Sequence, residues 1–116
     1  MTFRAEIPYG AYWSTPFARW QGSLAHLHSV QFAAHVAKAE LARRGIAPER
    51  IDHGVLGLSV PQPHAFYRMP WLAGMAGAGK VAGPTVMQAC ATGVRVLLHA
   101  SGEGKAMNAL IRVPNK

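Results

Sequence analysis

The sequence alternates three times between a short run of β-forming residues and a segment with helical periodicity. The clearest helix is predicted over residues 24–44, where apolar residues recur at spacings of three and four. These apolar residues are Leu27, Val30, Ala34, Ala37 and Leu41. Gly45 follows the helix, as glycine commonly does at a helix end. Alternating strands and helices predict an α/β fold with a mixed, mostly parallel sheet.

The other elements are predicted from apolar runs that end at proline or glycine. Strands or extended segments are expected at residues 5–13, 51–60 and 84–89, and further helices at residues 65–76 and 91–100. In the last helix, Val94, Leu97 and Leu98 are expected to face the core. The glycine-rich residues 74–83 are expected to form a connector.

The length of 116 residues allows one small domain. No apolar run reaches the ~18 residues that a membrane-spanning helix needs, and residues 1–10 lack a signal-peptide layout. We therefore expect a cytoplasmic protein without a membrane partner. After residue 100, Gly102 and Gly104 interrupt the last helix. The chain is accordingly divided into a domain portion, residues 1–100, and a divergent tail, residues 101–116, expected to be frayed or read in a shifted frame.

The net charge of +7 raises the question of a polyanionic partner. The positive residues are scattered, and only Arg43 and Arg44 are adjacent. They do not interleave with aromatic residues as in a groove for single-stranded nucleic acid. Nucleic acid is therefore not expected as a partner. A small basic module for RNA or an anionic surface, with a structural cysteine, is the alternative hypothesis.

Cys90 is the only cysteine, so it cannot form a disulfide within the chain. It lies between a predicted strand and a predicted helix, where the unpaired N–H groups of the helix start stabilise a thiolate. Its neighbours in sequence are small: Ala89, Ala91, Thr92 and Gly93. Small neighbours leave room for a substrate, so Cys90 is the candidate nucleophile. The alternative is a small core residue at the helix start.

The other patterns do not predict a cofactor or metal site. Residues 74–80 have the glycine and lysine spacing of a phosphate-binding loop, but Val81 stands where a magnesium-binding Ser or Thr is needed. His28 and His35 share a helix face two turns apart, too far for one metal ion. Five acidic residues give no support for a hydrolase with paired carboxylates. No metal ligand and no cofactor-binding residue is assigned.

Residues 84–93 resemble the nucleophile segment of thiolases, in which a small residue, Ser or Thr, and then Gly follow the cysteine. Two further blocks agree in order: residues 15–25 resemble the turn into the first thiolase helix, and residues 45–57 resemble the entry to its second strand. The resemblance covers roughly residues 5–100. It implies an incomplete N-terminal portion of a thiolase-like fold.

The resemblance also implies a function in lipid metabolism. Thiolases transfer acyl groups between acyl-CoA and CoA, or a second acyl-CoA, through a cysteine thioester. Cys90 would be that cysteine, coenzyme A thioesters would be substrates, no cofactor would be needed, and the full-length protein would be a homo-oligomer. Thiolases also use a histidine and a second cysteine from their later half, and this chain has neither motif. We therefore expect the isolated chain to be inactive.

Three positions depart from the usual thiolase pattern. Met87 stands where an asparagine is usual, Ala18 replaces a glycine, and Ser14 replaces an arginine found in many members. These departures indicate a divergent subfamily.

Overall fold

The computed structural model describes residues 7–64, 68–103 and 109–110. In these residues three helices and four two-residue strands alternate, and two short 3₁₀ turns, Pro48–Arg50 and Ala89–Ala91, precede β1 and α3. The helices are α1 (Ser29–Arg43), α2 (Arg68–Met75) and α3 (Thr92–Glu103). The strands are β1 (His53–Gly54), β2 (Leu56–Gly57), β3 (Thr85–Val86) and β4 (Ala109–Leu110). The mixed helix and strand content agrees with the predicted α/β class.

The strands pair in parallel around residues 53–57. β1 pairs with β4, β2 pairs with β3, and His53 also forms a parallel bridge with Ala82. His53 therefore has a partner on each side, since one strand edge cannot pair with two chains at the same residue. The N–H groups of Gly54, Leu56 and Leu58 donate in turn to the carbonyls of residues 82, 84 and 86. The small sheet is thus parallel, as predicted.

Helix α1 buries one stripe of small and branched side chains. Its buried residues are Ser29, Val30, Ala34, Ala37 and Leu41. The helix starts at Ser29 rather than Leu24, because residues 19–27 form successive turns with N–H groups bonded three residues back. It ends at Arg43, and Gly45 then adopts a positive φ of 67° while Ile46 donates to the Leu41 carbonyl. The predicted apolar face is confirmed, apart from Leu27, which precedes the helix.

The core lies between α1, α2 and the sheet. Leu56 and Met69 are 0% exposed and belong to one cluster with residues of α1. Gly54 and Gly83 let two backbones meet, because a Cβ on Gly83 would overlap the Gly54 carbonyl oxygen. Glycine weakens a strand in isolation, but here the pairing of residues 53–57 with residues 82–86 requires it.

Some predicted boundaries were wrong. Among the described residues 7–13 no strand forms, because Ala11 donates to the Pro8 carbonyl in a turn through Gly10, whose φ is 78°. The strand expected over residues 51–60 is reduced to β1 and β2.

The second and third helices also differ from prediction at their ends. α2 starts at Arg68, and residues 65–67 of the predicted helix lie outside the described part. α3 continues through Gly102 to Glu103, and Ala109 and Leu110 of the tail form β4. The remaining tail residues, 104–108 and 111–116, also lie outside the described part.

Candidate active site around Cys90

Cys90 lies in the 3₁₀ turn Ala89–Ala91, between the end of β3 and the start of α3. Its thiol is free and exposed. The sulfur is therefore at a strand-to-helix junction, where the sequence placed it, and can be approached from solvent. The alternative of a buried core cysteine is wrong, because the side chain is not covered.

Thr92 holds this turn from the first position of α3. Its hydroxyl accepts from the Gln88 N–H at 2.8 Å and donates to the Ala89 carbonyl at 2.7 Å. Thr92 is only 1% exposed, so water does not compete for these bonds. The two residues before Cys90 are thereby fixed to the helix that follows it.

Ala89 adopts a left-handed conformation with φ of 47°. This conformation costs a residue with a Cβ about 1–3 kcal/mol, so the surroundings must hold it in place. The Ser59 hydroxyl also donates to the Ala89 carbonyl, at 3.2 Å, and the Ala91 N–H donates to the Gln88 carbonyl at 3.0 Å. Bonds from α3 and from the chain that follows β2 therefore converge on the turn that carries Cys90.

Positive charge lies next to the turn that carries Cys90. The turn leads into a twelve-residue helix, whose first N–H groups carry partial positive charge. The Arg95 Nε donates to the Gln88 side-chain oxygen at 3.0 Å, which places a guanidinium beside the turn. The helix start and the guanidinium therefore both contribute positive charge next to the turn.

One side of α3 next to Cys90 is apolar and open. Val94, Leu97 and Leu98 are 73%, 50% and 42% exposed, and they lie at helical spacing on one stripe. The expectation that these three face the core was wrong. Val96, which is 0% exposed, and Thr92 face the sheet instead, because residues four apart share a helix face.

The residues weighed as nucleotide or metal ligands serve other purposes. Residues 74–80 run from the last turn of α2 into turns closed by Gly77 and Val81, and lead to the bridge at Ala82 rather than to a helix. A phosphate-binding loop would open a helix, so this run is the connector that was predicted. Across the described ranges, no three His, Cys, Asp or Glu side chains group as metal ligands.

Sequence reasoning singled out Cys90 but missed the residues that hold its turn. Thr92 was noted as a small neighbour and as the Ser or Thr of the resemblance, but not as a residue that holds the turn, although a hydroxyl at a helix start is a common capping signal. Ser59 is 31 residues before Cys90 in the chain, and no local pattern connects it to the site. Only the parallel pairing of β2 with β3 brings Ser59 to the Ala89 carbonyl.

Comparison with known proteins shows a similarity of fold. No family model and no curated protein matches the chain. Among solved structures, the acetyl-CoA acetyltransferase of Bacillus anthracis is similar, with a TM-score of 0.62 and 24% sequence identity over 71% of this chain. The similarity covers 21% of that enzyme, so this chain spans about a fifth of its length. The described fold is thus similar to part of a thiolase-type enzyme.

No helix in the described part combines the length and the apolar character that crossing a membrane requires.

Proposed function

We propose that Cys90 is the acyl-accepting nucleophile of a thiolase-type acyl-CoA C-acyltransferase. The observation that carries the proposal is an exposed thiol on a fixed strand-to-helix turn. It is supported by the fold likeness to an acetyl-CoA acetyltransferase. A solvent-facing thiol at the positive end of a helix is the environment that favours a reactive cysteine.

The proposed reaction has two steps. The Cys90 thiolate attacks the thioester carbonyl of acyl-CoA, a new carbon–sulfur bond forms at Cys90, and the bond to the CoA sulfur breaks. CoA leaves as a thiolate and takes up a proton. In the second step, free CoA or the carbanion of a second acyl-CoA attacks the Cys90 thioester and restores the thiolate. N–H groups at the start of α3 would stabilise the oxyanion in each step.

This chain is proposed to supply the nucleophile and not the whole site. Cys90 is its only cysteine, so the second thiol used by thiolases would come from residues other than these 116. Acyl-CoA and CoA are the proposed substrates, and a homo-oligomer is the proposed assembly. The open apolar side of α3 supports an assembly in which other residues cover it.

The test separates acyl transfer to Cys90 from complete turnover. The purified chain is incubated with acetyl-CoA, and intact-mass and peptide analysis follow, with Cys90→Ser as the matched variant. We expect one acetyl group on the wild type, located at Cys90 and released by hydroxylamine, and none on Cys90→Ser. Sustained CoA release is not expected, because no second thiol is present in the chain.

Iodoacetamide provides the control for access to the sulfur. If iodoacetamide modifies Cys90 fully while acetyl-CoA leaves it unmodified over a wide concentration range, the proposal is wrong. Salt-sensitive RNA binding together with that result would favour the alternative of a basic binding module.

A further inference from the structure

His28 precedes α1 and uses both nitrogens of its ring. Nδ1 accepts from the Val30 N–H at 3.2 Å, and Nε2 lies 2.6 Å from the Pro63 carbonyl oxygen. A carbonyl oxygen can only accept, so Nε2 carries the ring proton and Nδ1, which has no proton, is the acceptor. The observed contacts therefore require the neutral ring with its proton on Nε2.

We propose that protonation of His28 releases the start of α1, which makes this helix terminus sensitive to pH. Imidazole changes its charge between about pH 5 and pH 8. The second proton binds at Nδ1, the atom that accepts from Val30. Two donors then face each other, and the side-chain cap is lost.

Burial makes this loss costly. Val30 is 0% exposed, so water cannot replace Nδ1 as the acceptor for its N–H. The neighbouring Ser29 is 5% exposed, and its hydroxyl has no hydrogen-bond partner within the described residues. The charged ring would also lie at the positive end of the α1 dipole. The lost cap and the charge at the helix start both disfavour the folded state when His28 is protonated.

Protonation has the opposite effect on the hydrogen bond from His28 to the loop after β2. The bond from Nε2 to the Pro63 carbonyl persists on protonation and becomes stronger, because its donor is then charged. The ring also keeps its edge-to-face contact with Trp71, at 5.3 Å between centroids. Acid is therefore expected to loosen the first turn of α1 while His28 stays attached to Pro63 and Trp71.

The surrounding charges do not compensate for the new positive charge. The described segments that meet the ring carry His26 before it, His64 after Pro63, and Arg68 on α2. On α1 itself the charged or titratable residues are His35, Lys38, Glu40 and Arg43. Glu40, the only acid among them, is twelve residues along the helix and binds Arg43 and Arg44. A protonated His28 thus has no carboxylate partner on these segments.

The experiment compares His28→Asn with wild type. Asparagine caps a helix well and does not titrate, so the variant keeps an acceptor at all pH values. His35→Gln, at an exposed position within α1, is the matched control. From urea unfolding at pH 8 and pH 5.5, we expect the folded-to-unfolded ratio of wild type and His35→Gln to fall roughly fivefold more than that of His28→Asn.

Nuclear magnetic resonance tests the same inference without a variant. At pH 8 the His28 ring is expected to carry its proton on Nε2, and the Val30 amide is expected to lose exchange protection as the ring protonates. Equal acid sensitivity of His28→Asn and wild type would overturn the inference. A ring proton on Nδ1 at pH 8 would overturn it as well.

Discussion

Helices α1 and α3 are both amphipathic, but only the apolar side of α1 is buried against other elements. Its buried stripe packs against α2 and the sheet: Val30, Ala34, Ala37 and Leu41. Over the described side chains of α3, only Thr92 and Val96 are buried, and the larger apolar residues lie on the open side. Hydrophobic periodicity identifies the apolar residues of a helix, whereas the presence of a partner element decides which of them are covered.

The difference separates the core of this chain from its candidate site. The α1–α2 side contains most of the core, which includes Leu56 of β2. The α3 side presents the cysteine, a guanidinium bonded to Gln88 and an uncovered apolar stripe. Substitutions at matched positions can therefore test whether the two sides differ as the structure indicates.

The largest effect is expected for Gly83→Ala, which breaks the sheet that both sides share. The new methyl group would overlap the Gly54 carbonyl oxygen, so we expect a loss of about 3 kcal/mol or more in the free energy of unfolding. Gly79→Ala is the control, because a Cβ there meets nothing within 4 Å. Urea unfolding followed by circular dichroism measures both variants, and equal stability of the two would contradict the described crossing of backbones.

The next effect compares two valines on α3. Val96 is 0% exposed and Val94 is 73% exposed, so the same change to alanine samples the covered and the open side of one helix. We expect Val96→Ala to lower the free energy of unfolding by about 2 kcal/mol. Val94→Ala should change it by no more than about 0.5 kcal/mol. The same denaturation experiment measures both, and a large effect at Val94 would show that its side of α3 is covered in solution.

A smaller effect is expected for Thr92→Val, which keeps the size of the side chain but removes the hydroxyl that holds the turn. Two buried hydrogen bonds, to Gln88 and Ala89, are lost, at a cost of about 1.5 kcal/mol. We also expect the rate of Cys90 alkylation by iodoacetamide to change towards the rate of the urea-unfolded chain. Thr92→Ser keeps the hydroxyl and should restore most of the rate, and a rate unaffected by either change would separate Thr92 from Cys90 reactivity.

The smallest effect concerns the attachment of the N-terminal segment to the end of α1. Arg44 donates to the carbonyls of Gly10 and Tyr12 at 2.6 and 3.1 Å, and its guanidinium lies 5.2 Å from the centre of the Trp13 ring. Arg44→Ala should therefore cost about 1 kcal/mol in thermal or urea unfolding.

Arg43→Ala is the matched control for that variant. Arg43 is 69% exposed in its side chain and pairs only with Glu40 in the described contacts. Its removal should cost less than about 0.5 kcal/mol. A similar effect of both arginines would mean that the segment before α1 does not depend on Arg44.

The parts of the fold that follow from local patterns were predictable. α1 was predictable because its apolar stripe has the helical period and Gly45 ends it. The strand predicted at residues 5–13 was wrong over residues 7–13, because Pro8 and Gly10 turn the chain there, while residues 5–6 lie outside the described part. The predicted orientation of α3 was also wrong. The larger apolar residues were expected to face the core, but the smaller Val96 packs against the sheet instead.

The candidate site was predictable only at its centre. The single cysteine at a strand-to-helix boundary was visible in the sequence, and the structure places it there. The left-handed Ala89 and the bond from Ser59 depend on contacts between residues far apart in the chain. Local sequence patterns do not report such contacts, because they are set by the pairing of β2 with β3.

The parallel pairing of residues 53–57 also has a consequence for the order of assembly. His53 can pair only after Ala82, 29 residues later, and Ala109, 56 residues later, have been synthesised. Each doubling of a loop adds only about 0.6 kcal/mol to the free-energy cost of closing it. We therefore expect the order of synthesis, more than loop length, to decide the order in which the strands pair. We expect residues 53–57 to leave the ribosome before either partner segment, with the backbone groups of both edges still unpaired. We expect pairing with residues 82–86 to cover one edge first, and β4 to cover the other edge last.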